Sequence, residues 1–238
     1  MNTPAMQYLA SASPGADGQR TAAFLASTIG RKVVMAGSGL VLFGFVVGHM
    51  VGNLQVYLGA EALNAYAVFL REFLHGAGIW IARTALLAAV ALHIWAATSL
   101  TLDNRAARPV GYRQIRHRES TYASRTMVWS GPILLLFIAY HLMHFTFGNL
   151  HPDFRAGDVY HNFVVGFKPW PVSVFYVLAM LALGLHLYHG VWSMLQTLGL
   201  SHPRFNGLRH AFSSLTTVLV VAGNLSFPLA VLTGLLHE

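Results

Sequence analysis

Five long apolar segments restrict the fold of this chain more than any other feature of its sequence. They cover about residues 33–54, 78–101, 127–148, 172–198 and 211–236. A helix needs roughly 20 apolar residues to cross a bilayer, and each segment reaches that length. Charged residues make up only 10% of the chain, whereas soluble domains carry about 25%. The sequence therefore predicts an all-α integral membrane bundle of five transmembrane helices.

The rest of the chain is divided into a tail and short connections. Residues 1–24 are small and polar, which is typical of a flexible N-terminal tail, and we expect residues 25–238 to form a single membrane domain. The stretch Ala60–Leu74 is apolar but is interrupted by charged residues, so it is predicted to be an amphipathic helix at the membrane interface. The chain has no cysteine, which excludes disulfides, cysteine-ligated iron–sulfur clusters and c-type haem attachment.

The basic residues indicate the orientation of the chain. The net charge is +7, and most lysines and arginines lie before the first segment or in the second and fourth connections. Because cytoplasmic loops carry an excess of these residues, we expect the N-terminus in the cytoplasm and the C-terminus outside. The same residues suit contact with anionic lipid. No basic face with interleaved aromatic residues on a soluble fold is visible, so a nucleic-acid partner is not predicted.

Four histidines lie deep in the first four apolar segments, one in each: His49, His93, His141 and His186. An ionisable side chain at this depth is costly and therefore rare without a function, and neutral imidazole is a common axial ligand of haem iron. The helical rise places His49 with His141 toward the outside and His93 with His186 toward the cytoplasm, about 10 Å apart along the membrane normal. The pattern predicts two b haems, each held by two histidines.

The pattern leaves some alternatives open. His144 and His189 each follow a predicted ligand by three residues and share its helix flank, so spacing does not choose between them. Gly44 and Gly48 fit both a space for a porphyrin and ordinary small-residue helix packing. The other histidines lie in connections or at the terminus and are expected to be solvated: His75, His117, His151, His161, His202, His210 and His237.

Four stretches of sequence are similar to those of a known family: GRKVVMAGSGLVLFGFVVGHMVGN, RTALLAAVALHIWAA, SGPILLLFIAYHLMH and ALGLHLYHGVWSMLQTLG. From about Thr28 to Leu236 the chain resembles the single-chain, di-haem cytochrome b membrane anchors of succinate dehydrogenases and fumarate reductases, the b558 type. The resemblance implies ligation by His141 rather than His144 and by His186 rather than His189. It also implies pairing of the first helix with the third and of the second with the fourth.

The resemblance implies a function as well. Such a subunit sits in the bacterial cytoplasmic membrane and docks an iron–sulfur subunit and a flavoprotein subunit on its cytoplasmic face. It passes electrons between the iron–sulfur subunit and a quinone, usually menaquinone, and so links the tricarboxylic acid cycle to the respiratory chain. The chain would be the membrane subunit of a succinate:quinone oxidoreductase, without a dicarboxylate site of its own.

The family also has a functional glutamate about two dozen residues after the first ligand. Glu72 follows His49 by 23 residues and Glu61 follows it by 12, so Glu72 is the better match for proton transfer to quinone. The alternative is a solvated side chain beside Arg71.

Basic residues at the predicted cytoplasmic helix ends have two interpretations. Arg31, Lys32 and Arg125 are candidates for contact with haem propionates. They are equally candidates for positive-inside anchors that make no cofactor contact.

Two other functions compete with this interpretation. The chain could be the di-haem cytochrome b anchor of a hydrogenase or formate dehydrogenase, which shares the chemistry and differs in partner. It could also be a haem-free transporter or proton channel that uses its histidines as a relay. A visible absorption spectrum separates the last function from the first two.

Overall fold

A computed structural model describes residues 14–107 and 122–238, and this part of the chain is helical without any strand. The α-helices are α1 (Pro14–Ala26), α2 (Thr28–Asn53), α3 (Ala60–Glu72), α4 (Ala77–Ala106), α5 (Tyr122–His141), α6 (Val159–Phe167), α7 (Trp170–Thr197) and α8 (Asn206–Leu232). Two 3₁₀ turns, Leu54–Leu58 and Pro203–Phe205, and a π-helical segment, Leu142–Thr146, complete the elements. Helices α2, α4, α5, α7 and α8 are long and apolar enough to cross a membrane. The prediction of an all-α protein with five spanning helices is confirmed.

The structure differs from the sequence expectation in two short helices. Helix α1 occupies the second half of the segment expected to be a flexible tail, and residues 1–13 lie outside the described residues. Ser27 follows α1 and caps α2, where its hydroxyl accepts a hydrogen bond of 3.0 Å from the Gly30 amide. Helix α6 has nine residues, too few to span a bilayer, so a search for spanning segments does not find it.

Four of the spanning helices surround a common interior. Helix α2 packs along α4 and, less extensively, along α7, while α5 packs along α7. Among the described residues, α2 therefore lies diagonally opposite α5, and α4 lies diagonally opposite α7. The fifth spanning helix, α8, packs mainly against α7 and touches α2. Side chains that meet between diagonal helices must meet in the middle of the bundle.

The apolar core is concentrated at one end of the bundle. There α3 packs against α6, and the two helices surround buried side chains that include Val56, Leu63, Val164 and Phe227. We call α3, α6 and the segment 147–158 that precedes α6 the cap. The chain ends beside it, where Glu238 forms an ion pair with Lys168. At the opposite end of the bundle, Arg31 at the start of α2 forms an ion pair with Asp103 near the end of α4.

Polar side chains hold the cap together. The Asp158 carboxylate caps α6 by accepting a bond of 3.1 Å from the His161 amide, and it accepts another of 3.0 Å from the Asn64 side chain on α3. The bond from Asn64, followed by that from His161, lowers the pKa of the Asp158 carboxyl. The Asn64 side-chain oxygen accepts from the Tyr160 amide, so α3 and α6 are joined twice.

One histidine of the cap contradicts the sequence expectation. His161 was expected to be solvated, but only 4% of it is exposed. Its ring nitrogens contact the carboxylates of Asp153 and Glu238. The reason is local, because the capping Asp158 begins α6 three residues earlier and turns His161 into the protein. A capping aspartate at this spacing is a signal that sequence inspection can find.

Candidate functional site: two histidine pairs inside the bundle

The four membrane histidines form two pairs, each across a diagonal of the bundle. His49 on α2 faces His141 on α5, with ring centroids 5.9 Å apart and an interplanar angle of 85°. His93 on α4 faces His186 on α7, at 6.2 Å and 56°. These helices are not extensively packed partners within the described residues. The imidazole pairs are therefore contacts across the bundle interior.

The spacing of both pairs suits a metal between the two rings. A metal–imidazole bond is about 2 Å long, and the ring adds about 1 Å to its centroid, so two ligating rings lie about 6 Å apart. No group of three or more histidine, cysteine, aspartate or glutamate side chains suited to a metal occurs among residues 14–107 and 122–238. Each pair thus offers two neutral nitrogen ligands, which is the axial set of a six-coordinate b haem. The residues present fit that group.

A serine on the neighbouring helix orients His93. The Ser38 hydroxyl donates a bond of 2.7 Å to the Val34 carbonyl in its own helix, and its oxygen lies 3.2 Å from Nδ1 of His93. Since the serine proton is already used, Nδ1 of His93 donates to Ser38. The proton on Nδ1 leaves a lone pair on Nε2, which is the tautomer that binds a metal through Nε2.

A serine also contacts His186, but its own proton is less firmly held, because the nearest carbonyl of its helix, that of Met127, lies 3.5 Å from the hydroxyl. Ser130 on α5 is 3% exposed, and its oxygen lies 3.2 Å from Nδ1 of His186. Ser38 and Ser130 therefore stand at one level with the pair His93–His186. On α2 and on α5 alike, eleven residues separate this serine from the histidine of the other pair. At the helical rise this separation corresponds to about 16 Å along each helix axis.

Tyr176 lies behind the pair His49–His141. Its hydroxyl is 3.3 Å from Nδ1 of His141 and 3.0 Å from Nδ1 of His144. A phenol donates one proton and accepts another, so it bonds both imidazoles at once. On the other side of the pair, the Asn53 amide lies 3.3 Å from Nε2 of His49. Coordination of a metal through that nitrogen requires the amide to turn away.

The surroundings of His144 differ from those of His141. The residue is completely buried, and its ring packs against Phe145 and His151 at centroid distances of 4.2 and 5.2 Å. A Cβ atom built on Gly166 would lie 3.1 Å from the ring, so only a glycine permits this approach. The π-helical segment that begins at Leu142 places His144 in this aromatic cluster, while His141 stays on the side of His49.

The other sequence candidates lie in different places. Glu72, at the end of α3, and Glu61, at its start, are exposed, and neither side chain has a hydrogen bond or ion pair within the described residues. Glu72 precedes a turn in which Leu74 and His75 have φ values of 54° and 55°, a conformation that is unusual for residues other than glycine. His189 is half-buried, and the ring that faces His93 is that of His186.

The basic candidates at the opposite end have three environments. Arg31 is occupied by its ion pair with Asp103. Lys32 is exposed. The Arg125 guanidinium lies 5.9 Å from the centroid of the Tyr122 ring. The glycines near His49 leave space, since a Cβ atom at Gly44 or Gly48 would meet no atom within 4 Å, and these two positions are therefore not tight helix contacts.

Sequence reasoning missed the residues that orient the imidazoles. Ser38 and His93 are 55 residues apart and Ser130 and His186 are 56 apart, so no local spacing connects them. Tyr176 is likewise on a different helix from the histidines that it contacts. Comparison of the chain with protein-family models, curated proteins and solved structures finds no match.

Proposed function

We propose that this protein is a di-haem cytochrome b, the membrane anchor and electron conduit of a succinate:quinone oxidoreductase. The observation that carries the proposal is the pairing of four membrane histidines across both diagonals of one bundle, each pair at a metal-compatible spacing. An ionisable side chain at membrane depth is costly, so two matched histidine pairs without a function are not expected.

The residues have distinct roles under this proposal. His49 and His141 would hold one b haem, and His93 and His186 would hold the other. A bound haem supplies reversible one-electron transfer. Ser38 holds the proton of His93 on Nδ1, and Ser130 contacts Nδ1 of His186. Neutral imidazole ligands keep the ligand set uncharged. The Tyr176 hydroxyl contacts Nδ1 of His141.

The two levels give the bundle a direction for electron transfer. The pair His93–His186 lies nearer the end with the Arg31–Asp103 ion pair, and the pair His49–His141 lies nearer the cap. Under the sequence-derived orientation, an iron–sulfur subunit would dock at the first end, and quinone would react near the cap, where Glu72 is the candidate for proton transfer. Menaquinone is the quinone that the family resemblance implies.

Haem quantification tests the proposal. The protein is purified from membranes with its partners, and haem is measured by pyridine haemochrome together with a redox-titrated absorption spectrum. We expect two low-spin b haems per chain. One haem or none would contradict the proposal. A chain without haem would favour the haem-free transporter or proton channel that uses its histidines as a relay. Co-purification with a flavoprotein and succinate oxidation would separate this function from a hydrogenase or formate dehydrogenase anchor.

A further inference from the structure

Arg209 is a buried cation whose positive charge has no counterion within residues 14–107 and 122–238. It lies in the first turn of α8, and only 5% of it is exposed. Its Nη1 donates a bond of 3.0 Å to the Asn206 side chain, but Nε and Nη2 are enclosed and have no acceptor among the described residues. An unpaired buried charge is strongly unfavourable. The first turn of a helix also carries the positive end of the helix dipole, which makes an arginine there still less favourable without an anion.

The contacts of Arg209 orient it for a particular ligand. The guanidinium stacks on the Trp192 ring with its carbon 3.8 Å from the centroid, and Asn206 fixes one of its ends. The two unpaired nitrogens form one edge of the planar group, the fork that binds carboxylate or phosphate through two parallel hydrogen bonds. Ser213 lies one turn further along the same helix side, is completely buried, and its hydroxyl also has no partner within the described chain.

An apolar groove lies along the same helix, and it is lined by Ser214, which follows the buried Ser213, and by Thr217, one turn beyond it. It has a volume of about 500 Å³ and lies between α7 and α8, where its walls include Leu181, Leu185, Val218 and Leu225. Tyr188 lines it as well, and because α7 and α8 are joined by a short connection, Tyr188 marks the end nearest that connection.

A series of side-chain contacts connects the groove with Arg209. The Tyr188 hydroxyl is 3.5 Å from Nδ1 of His210, and His210 stacks on Trp192 with ring centroids 3.8 Å apart. Trp192 in turn carries the guanidinium of Arg209. The apolar groove thus ends at aromatic and basic side chains, at the depth where a spanning helix meets the membrane surface.

We infer that this is a binding site for one anionic phospholipid, with its phosphate on the Nε–Nη2 edge of Arg209 and an acyl chain in the groove between α7 and α8. Charge complementarity selects the occupant, since a phosphate supplies the missing anion and the groove requires an apolar chain attached to it. The Nε–Nη2 edge of Arg209 is closed to water, so binding of the phosphate must displace neighbouring side chains slightly. In return, the unpaired cation gains a charge-assisted pair of hydrogen bonds. The site lies on the α8 side of α7 and is separate from both histidine pairs.

The test measures bound lipid on the full chain with native mass spectrometry. The protein is delipidated in detergent and titrated with phosphatidylglycerol, phosphatidylcholine or inorganic phosphate, and thermal unfolding is followed in parallel. We expect one phosphatidylglycerol to bind and to raise the unfolding temperature, with phosphatidylcholine and inorganic phosphate at least tenfold weaker. Arg209→Gln should weaken phosphatidylglycerol binding at least tenfold. Arg209→Lys should also weaken it, because lysine lacks the fork.

Two further variants keep the test decisive. Arg204→Gln removes an exposed arginine of the same connection and should bind phosphatidylglycerol like the wild type. Ala222→Phe places a large ring in the groove from an exposed position and should abolish lipid binding without unfolding the chain, even if Arg209→Gln does not fold. Equal binding of the two phospholipids, equal stabilisation by inorganic phosphate, or extraction of a quinone rather than a phospholipid would overturn the assignment. So would an Arg209→Gln protein that keeps its lipid and loses a protein partner.

Discussion

The Ser38 hydroxyl lies 3.2 Å from Nδ1 of His93, on the neighbouring helix, and donates its own proton to the backbone of α2. The imidazole must therefore donate to the serine, and its Nε2 keeps the lone pair. Ser130 makes the equivalent contact with His186. Serines on two helices thus contact Nδ1 of the two rings that face each other at 6.2 Å.

This relationship predicts that Ser38→Ala and Ser130→Ala weaken one haem and leave the other intact. Loss of a hydrogen bond behind a metal ligand typically lowers metal affinity about 10-fold to 100-fold. The measurement is a redox-titrated spectrum in which the haem at the His93–His186 level is partly lost or shifted in midpoint potential. Thr101→Ala is the control, because the Thr101 hydroxyl bonds only its own helix at Ala97. Equal effects on both haems would contradict this assignment.

The ligand assignment predicts paired losses. His49→Ala and His141→Ala should remove the same haem, and His93→Ala and His186→Ala the other, since each pair shares one iron. The matched control variants are His144→Ala and His189→Ala, which should retain two haems, although His144→Ala is expected to destabilise the aromatic cluster. Haem content of each purified variant is measured by pyridine haemochrome. If His189→Ala lost a haem and His186→Ala retained both, the assignment of His186 as the ligand on α7 would be wrong.

Glu72 is predicted to act on quinone rather than on assembly. Glu72→Gln should retain both haems and normal succinate oxidation with an artificial acceptor, yet slow electron exchange with quinone, because an amide cannot take up a proton. If quinone turnover is unchanged in Glu72→Gln, Glu72 is not part of the site, and Glu61 at the other end of α3 becomes the next candidate.

The contacts of Asp158 predict that the stability of the cap depends on pH. Its pKa is lowered in the folded protein, so its ionised form stabilises the cap above the usual aspartate pKa of about 4, and this stability is lost as the pH falls through the folded value. Asp158→Ala, which removes the helix cap, should cost about 1 kcal/mol at neutral pH. Hydrogen exchange of residues 147–168 measures the effect at neutral and acidic pH. The difference between wild type and variant should shrink in acid, and an equal difference at both pH values would contradict the role of the carboxylate.

The orientation of the chain is also testable. The distribution of arginine and lysine predicts that reporters fused within residues 103–126 and 200–210 lie in the cytoplasm and that a C-terminal reporter lies outside. Most of the basic residues of the first of these regions, among them Arg113 and Arg116, fall in the range 108–121, outside the described residues. A cytoplasmic C-terminal reporter would reverse the ends assigned to the partner subunits and to quinone.

The sequence by itself determined the five spanning helices and the four histidines inside them. Both follow from properties of a single segment. About twenty apolar residues are enough for a helix to cross a bilayer. A histidine within such a segment stands out because an ionisable side chain is costly at that depth. The predicted pairing of His49 with His141 and of His93 with His186 rested on estimated depth, in agreement with the family resemblance, and the rings do meet in these pairs. The haems and the electron-transfer function remain predictions.

Only the tertiary structure decided what surrounds the imidazoles. The hydroxyls of Ser38, Ser130 and Tyr176 reach histidines on other helices, and such contacts leave no periodic signal in the sequence. His141 and His144 are equivalent by helical spacing, and they differ because a π-helical segment and the close approach of Gly166 enclose the second ring. Helix α6 and the buried His161 were missed for the same reason: a nine-residue helix is stabilised by its contacts with α3 and by a capping aspartate, rather than by its own hydrophobic pattern.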